Sequence, residues 1–251
     1  MKRPLTVFLR VLAVFVLVVL VNIAPMATLG MPGMKEYHFH GIRVLAKPAD
    51  STAAERLAAR IDRQAGQVAE ALDMADNEGI GTIVYPSHKD LHRKTLGFAG
   101  AFLPDWFIGD NTRQWVLITT PGKPGPAHSR ESVEQAAVHE YVHVLTDRIN
   151  KGLGYWLKEG IALYLAGQKP SIDSVHRYAA IPWEEYSRPN ELQFAEVGGY
   201  TLAYTLVQYI TEQYGWEAVV SLLPSGASIE QSLGLSPRGL FDEWKAWIHT
   251  L

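Results

Sequence analysis

The sequence predicts an α+β fold: a small twisted sheet with covering helices in the N-terminal half, a central helix buried on every side, and a helical C-terminal half. Three observations carry this. Runs with strand character (36–46, 82–85 and 114–119) are confined to the first half of the chain. Around residues 136–145, Ala136, Ala137, Val138, Val142, Val144 and Leu145 leave a helix apolar nearly all round, the mark of a buried element. Beyond residue 155 apolar residues recur at helical spacing, with proline and glycine between the segments.

Residues 1–30 read as a targeting segment. Lys2, Arg3 and Arg10 precede an apolar run from Val11 to Ala24, interrupted only by Asn22 and followed by Pro25 and small residues. Extended through Leu29, the run is long enough to cross a bilayer. It fits an uncleaved signal anchor; the alternative is a signal peptide cleaved at the small-x-small site Thr28-Leu29-Gly30. Basic residues before the span place residue 31 onward outside the cytoplasm, membrane-anchored in the first case and periplasmic or secreted in the second.

Residues 36–46 (EYHFHGIRVLA) alternate as one strand, with His38 and His40 on a solvated face. Ser51 and Thr52 open a helix to about Asp73 whose Leu57, Ile61, Val68 and Leu72 would lie on the sheet. A strand at 82–85 and a helix at 86–96 follow. That helix holds His88 and His92 four apart, but within SHKDLHRK, where an exposed charged face is the expectation and a metal pair is not. Residues 98–108 are apolar and glycine-rich, and 114–119 (QWVLIT) is a strand. After the loop at 121–126, Ser132 with Gln135 three places on forms a capping box for the buried helix.

That helix contains His139-Glu140-Tyr141-Val142-His143. Residues four apart share a helix face, so the two imidazoles can meet one ion, while Glu140, one step round, can serve a water as general base without ligating. Bare histidines and a carboxylate inside an apolar helix would be costly, and a metal resolves the conflict. Catalytic zinc usually takes a third protein ligand. Thr146 and Ile149 stand where a metzincin would need glycine and histidine, and the chain has no cysteine. The next good donor is Glu159, a lone carboxylate among Trp156, Leu157, Ile161, Leu163 and Leu165 in a second short helix.

HExxH followed by Trp156-Leu157-Lys158-Glu159-Gly160-Ile161-Ala162 resembles the gluzincin zinc peptidases, including the zinc aminopeptidases and small bacterial peptidase-MA-like domains. The resemblance implies a zincin-like fold, Zn2+ on His139, His143 and Glu159, Glu140 as base, and an edge strand (98–108 or 114–119) that pairs with the substrate backbone. It also implies a downstream tyrosine that stabilises the oxyanion: Tyr200, with Tyr204 one turn on and His176 a poorer candidate. One departure is Leu163, where the thermolysin branch has an aspartate that orients a histidine.

Past Gly167, a helix cap, the chain reads as irregular through Pro170, Pro182 and Pro189. Helices are expected at 200–214, 216–223, from Ser228 to near Gly234, and from Ser236-Pro237 to the end, where Leu240, Phe241, Trp244, Trp247 and Ile248 make a core stripe. Residues 31–251 then form a single domain with lobes at about 36–150 and 151–251. Of the 251 residues 47% are hydrophobic and 20% charged, a globular composition. The net charge of −3 becomes six negative once the basic N-terminus is set aside, which argues against a nucleic-acid partner. The expected function is hydrolysis of a peptide or protein substrate. The alternative is a non-catalytic zinc-containing module that binds peptide or envelope partners.

Overall fold

The computed structural model describes residues 3–75, 78–187 and 191–251; Lys2 and Pro189 lie outside them. Its first helix, α1 (Arg3–Ile23), is continued by a 3-10 turn at Ala24–Ala27. The stretch Val7–Ala27 is long and apolar enough to cross a membrane, and none of it is buried in the protein.

One mixed five-stranded sheet follows, built from β1 (Lys35–Phe39), β2 (Ile42–Ala46), β3 (Gly81–Tyr85), β4 (Gly109–Asn111) and β5 (Trp115–Thr119) in the order β1-β2-β3-β5-β4. The pairs β2/β3 and β3/β5 are parallel, and the outer pairs are antiparallel. The stretch expected as one strand is a hairpin. His40 and Gly41 both have positive φ (51° and 76°), the requirement of a two-residue type I′ turn, so His40 leaves the strand face it was expected to share with His38.

The sheet is covered on both faces, and the side-chain alternation of its strands shows how. Val44, Ala46, Val84, Val116 and Ile118 join the main core, beneath α2 (Ser51–Ala71) and α4 (Arg130–Ile149). Ile83, Tyr85 and Leu117 face the other way, with Leu91 of α3 (His88–Leu96) and, at the margin, Leu29, Met31 and Met34. A 3-10 segment at Gly97–Phe102 occupies the glycine-rich stretch, so this is not a strand. Nor is β5 an edge: it pairs on both sides, and the outer position belongs to β4. β4 itself has three residues, GDN, too short and polar a stretch to show an alternating pattern.

The buried helix α4 begins one turn earlier than its sequence suggests. Ser129 is the N-cap, accepting from the Ser132 amide while the Ser132 hydroxyl accepts from the Ser129 amide at 2.9 Å. The capping box joins Ser129 and Ser132, not the expected pair Ser132 and Gln135, because Ser132 fills its third helical position. After α5 (Tyr155–Leu165), the stretch expected to be irregular forms α6 (Ile172–Tyr178), α7 (Trp183–Ser187) and α8 (Glu191–Glu196). These are too short for periodicity to announce, and packing holds them. Tyr186 and Phe194 lie against Trp156, whose indole N–H donates to the Tyr186 carbonyl at 2.8 Å. Next come α9 (Gly199–Tyr214), α10 (Trp216–Ser221), α11 (Ile229–Leu233) and α12 (Pro237–Ile248). Ser228 and Ser236 are the expected N-caps. A single cluster of buried residues runs from Val44 through both lobes to Ile248.

Candidate metal centre

The centre lies where α4 crosses α5. Helix α4 packs against β4, β5, α2 and α5 at once, which is why its sequence is apolar all round and why His139, Glu140 and His143 are only 8, 9 and 4% exposed. Helix α5 is seated by its other face. Gly160 meets α9 so closely that a Cβ there would collide with the Ala203 carbonyl oxygen and approach Val207 Cγ2 to 2.7 Å. Glu159 precedes that glycine and is thereby directed at α4.

Glu159 Oε2 stands 3.3 Å from His139 Nε2 and 3.4 Å from His143 Nε2, and the donor atoms of the three residues lie within 4.8 Å of one another. Charge-assisted hydrogen bonds are shorter, about 2.7–2.9 Å. Separations of about 3.3–3.4 Å are instead the edge of a tetrahedron whose centre-to-corner bonds are the roughly 2.0–2.1 Å of zinc to nitrogen or oxygen. The tautomer points the same way. His139 Nδ1 lies 2.9 Å from Gln168 Oε1, an acceptor, so Nδ1 carries the proton and the Nε2 lone pair faces a carboxylate oxygen. Two acceptors face each other there, and a cation between them removes the conflict.

The protonation states suit ligation. Burial holds His143 below its ordinary pKa despite the nearby Glu159 charge, favouring the neutral imidazole. Burial pushes Glu159 upward, but attraction to the two facing imidazoles, His143 before His139, outweighs it and leaves the carboxyl well below the usual range. Glu140 is the opposite case. Burial first, then Asp110 and Glu159, raise it well above an ordinary glutamate, with Lys158 opposing. Gly109 of β4 lies directly against it: a Cβ at that position would sit 2.6 Å from Glu140 Oε1.

Two supporting groups were not legible in the sequence. Gln168 reaches His139 because α5 ends in a Schellman turn: Gly167 adopts φ 69°, its amide bonds the Tyr164 carbonyl, and the Gln168 amide bonds the Leu163 carbonyl. Asp147, one turn beyond His143, accepts from Lys158 Nζ at 2.8 Å and from Asn111 Nδ2 at 3.2 Å, tying α4 to α5 and β4. His143 Nδ1 is buried without a hydrogen-bond partner among the described residues.

Among the tyrosines, Tyr200 stands in the first turn of α9, 37% exposed, its ring edge-on to Trp106 at 5.7 Å and to Phe194 at 5.2 Å. It therefore faces the segment that leads into β4, the strand lying against Glu140. Tyr204 is buried beside Tyr164, with ring centroids 5.4 Å apart, as expected of a packing residue. His176 is exposed on α6.

The His88/His92 pair is not on a solvated face. His92 is 3% exposed and bonds the Phe107 carbonyl through Nε2 at 2.7 Å, while His88 lies 3.3 Å from Asp105. The charged neighbours on α3 point outward, and the two histidines turn in to hold the segment before β4. Their environment is the reverse of the one expected.

No family model, no curated protein and no solved structure matches this chain. The class of protein is accordingly read from the fold and the centre: an α+β protein with a possible two-histidine, one-glutamate metal site on crossed helices.

Proposed function

We propose that the protein is a membrane-anchored, zinc-dependent peptidase of the gluzincin kind, with a zincin-like fold. The observation that carries the reading is the convergence of His139, His143 and Glu159 at tetrahedral-edge spacing, with Glu140 one residue along α4. Zinc held there supplies Lewis acidity toward a scissile carbonyl and toward water. The remaining roles belong to the chain. Beside a dication the Coulomb balance at Glu140 reverses, and its carboxylate accepts a proton from water and passes it to the departing amine. The outer edge of β4 offers backbone groups to an extended peptide, in place of the two segments the sequence suggested. Gln168 keeps His139 in its ligating tautomer.

The test uses the full chain purified in detergent. Metal analysis should find one zinc, lost to chelator, and a peptide library should be cleaved only by the zinc-loaded protein. Glu140→Gln should keep the zinc and lose at least about a hundredfold in turnover, the scale of general-base catalysis. A zinc-loaded Glu140→Gln protein as fast as the parent refutes the mechanism.

One observation favours the non-catalytic alternative. The His139, His143 and Glu159 side chains are only 11, 6 and 13% exposed. Clefts of about 340 and 160 Å³ open elsewhere, one beside the α4–α5 link and one between α6 and α9. Full zinc occupancy with no cleavage of any library peptide would select that reading.

A further inference from the structure

The end of α1 is bound to the folded domain. Asn22 Oδ1 accepts from the Ala99 amide at 3.1 Å, and Gly97, at φ 63°, lies so close to the Asn22 carbonyl that a Cβ would collide with it. Lys94 Nζ donates to the Thr28 carbonyl at 2.9 Å, and the Tyr85 hydroxyl to that of Leu29 at 2.8 Å. The 3-10 segment Gly97–Phe102 is thus held at the level where the apolar stretch ends.

What this segment shows to solvent is unusual for a surface. Phe102 is 91% exposed, and Phe98, Leu96 and Trp106 are 46, 44 and 43% exposed. Outside α1, the other large apolar side chains at least 40% exposed among the described residues are Met26, at the end of the same stretch, Ile172 and Leu251. The Arg93 guanidinium lies 4.6 Å over the Phe98 ring, and Lys94 is its neighbour. Aromatic rings with Arg and Lys stems, gathered beside the end of an apolar helix, match the composition of proteins at a bilayer's polar–apolar boundary.

We infer that residues 96–106 are a second membrane contact, with Phe98, Phe102 and Trp106 seated in the interfacial layer of the phospholipid bilayer that α1 crosses. The occupant is lipid because the segment is continuous with α1, whose apolar surface is likewise uncovered by protein. Two contacts fix the orientation of the domain where one helix would leave it free to swivel. The same segment runs on through Trp106 into β4, so the contact sets the height of the metal centre above the membrane. The inference does not depend on the peptidase reading.

The chain has no cysteine, so single thiols can be placed at will. Full-length Phe102→Cys, Ser225→Cys (exposed in the turn after α10) and Val16→Cys (in α1), each with an environment-sensitive fluorophore, would be reconstituted in phosphatidylcholine vesicles. The label at 102 should be quenched by lipids carrying a nitroxide near the headgroup and be severalfold less quenched by aqueous iodide than the label at 225. The label at 16 should respond to deep nitroxides. Iodide quenching at 102 equal to that at 225 overturns the proposal. So does protection at 102 from both iodide and lipid, which would mean that a second copy or another protein covers the segment. Iodide access at 16 overturns it as well, by removing α1 from the bilayer.

Discussion

Gly160→Ala tests whether the approach of α5 to α9 is what aims Glu159 at the histidines. The added Cβ would collide with a backbone carbonyl, that of Ala203, and would lie 2.7 Å from Val207 Cγ2 where ordinary contacts are 3.4–4 Å. A carbonyl in mid-helix cannot rotate away, so α5 and α9 must separate by roughly 1 Å, and such overpacking costs about 1–3 kcal/mol. The better helix propensity of alanine returns about 0.5–1 kcal/mol. At about 2–4 °C per kcal/mol for a domain of this size, the net loss of about 0.5–2 kcal/mol should lower Tm by roughly 1–8 °C. Because Glu159 rides on the same turn, the 3.3 and 3.4 Å spacings should open and zinc affinity should fall by about 10–100-fold, the scale seen when a ligand's support is lost. Scanning calorimetry of the metal-free protein and zinc titration against a competing chelator read the two effects. Gly66→Ala is the control: it sits within α2 with nothing within 4 Å of its would-be Cβ, so it should hold or raise Tm. If Gly160→Ala behaves like Gly66→Ala in both assays, the close-approach argument is wrong.

Three further outcomes are expected. Glu159→Ala leaves only the two imidazoles and should lose most bound zinc with its helical circular dichroism retained; stoichiometric zinc in that variant excludes Glu159 as third ligand. His92→Ala leaves the Phe107 carbonyl without its partner in a part-buried site and should cost about 1–3 kcal/mol in denaturant unfolding while zinc stays stoichiometric, whereas loss of zinc would make the pair a metal site after all. Under the peptidase reading, Tyr200→Phe should lower kcat by roughly ten- to a thousandfold with zinc and fold intact, the range for one oxyanion donor, and Tyr204→Phe should leave kcat unchanged. The reverse pattern moves the role one turn along α9.

Several outcomes decided by residues close in sequence were legible in the sequence alone. Histidines at i and i+4, serine N-caps at Ser228 and Ser236, the αL glycine after α5 and the helical periods of α2, α9 and α12 are all properties of a few consecutive residues, and each is found as read. The lone Glu159 in apolar company was legible for the same reason, because burial of a charge demands a partner even when the partner is not yet known. Tertiary structure decided whatever depends on what arrives from elsewhere. Histidines in a polar string were expected to face water, but the Phe107 carbonyl and Asp105, in the segment that leads into β4, fold back over α3 and draw His92 and His88 inward. β4 has three residues and exists because β5 offers it hydrogen bonds, and α6 to α8 are single or double turns that packing, not propensity, sustains. Gln168, Asp147 and Asn111 carry no pattern of their own; they support the centre only because the Schellman turn and the α4–α5 crossing bring them to it. A sequence names the groups able to bind or support an ion, and the long-range contacts of the fold select which of them meet.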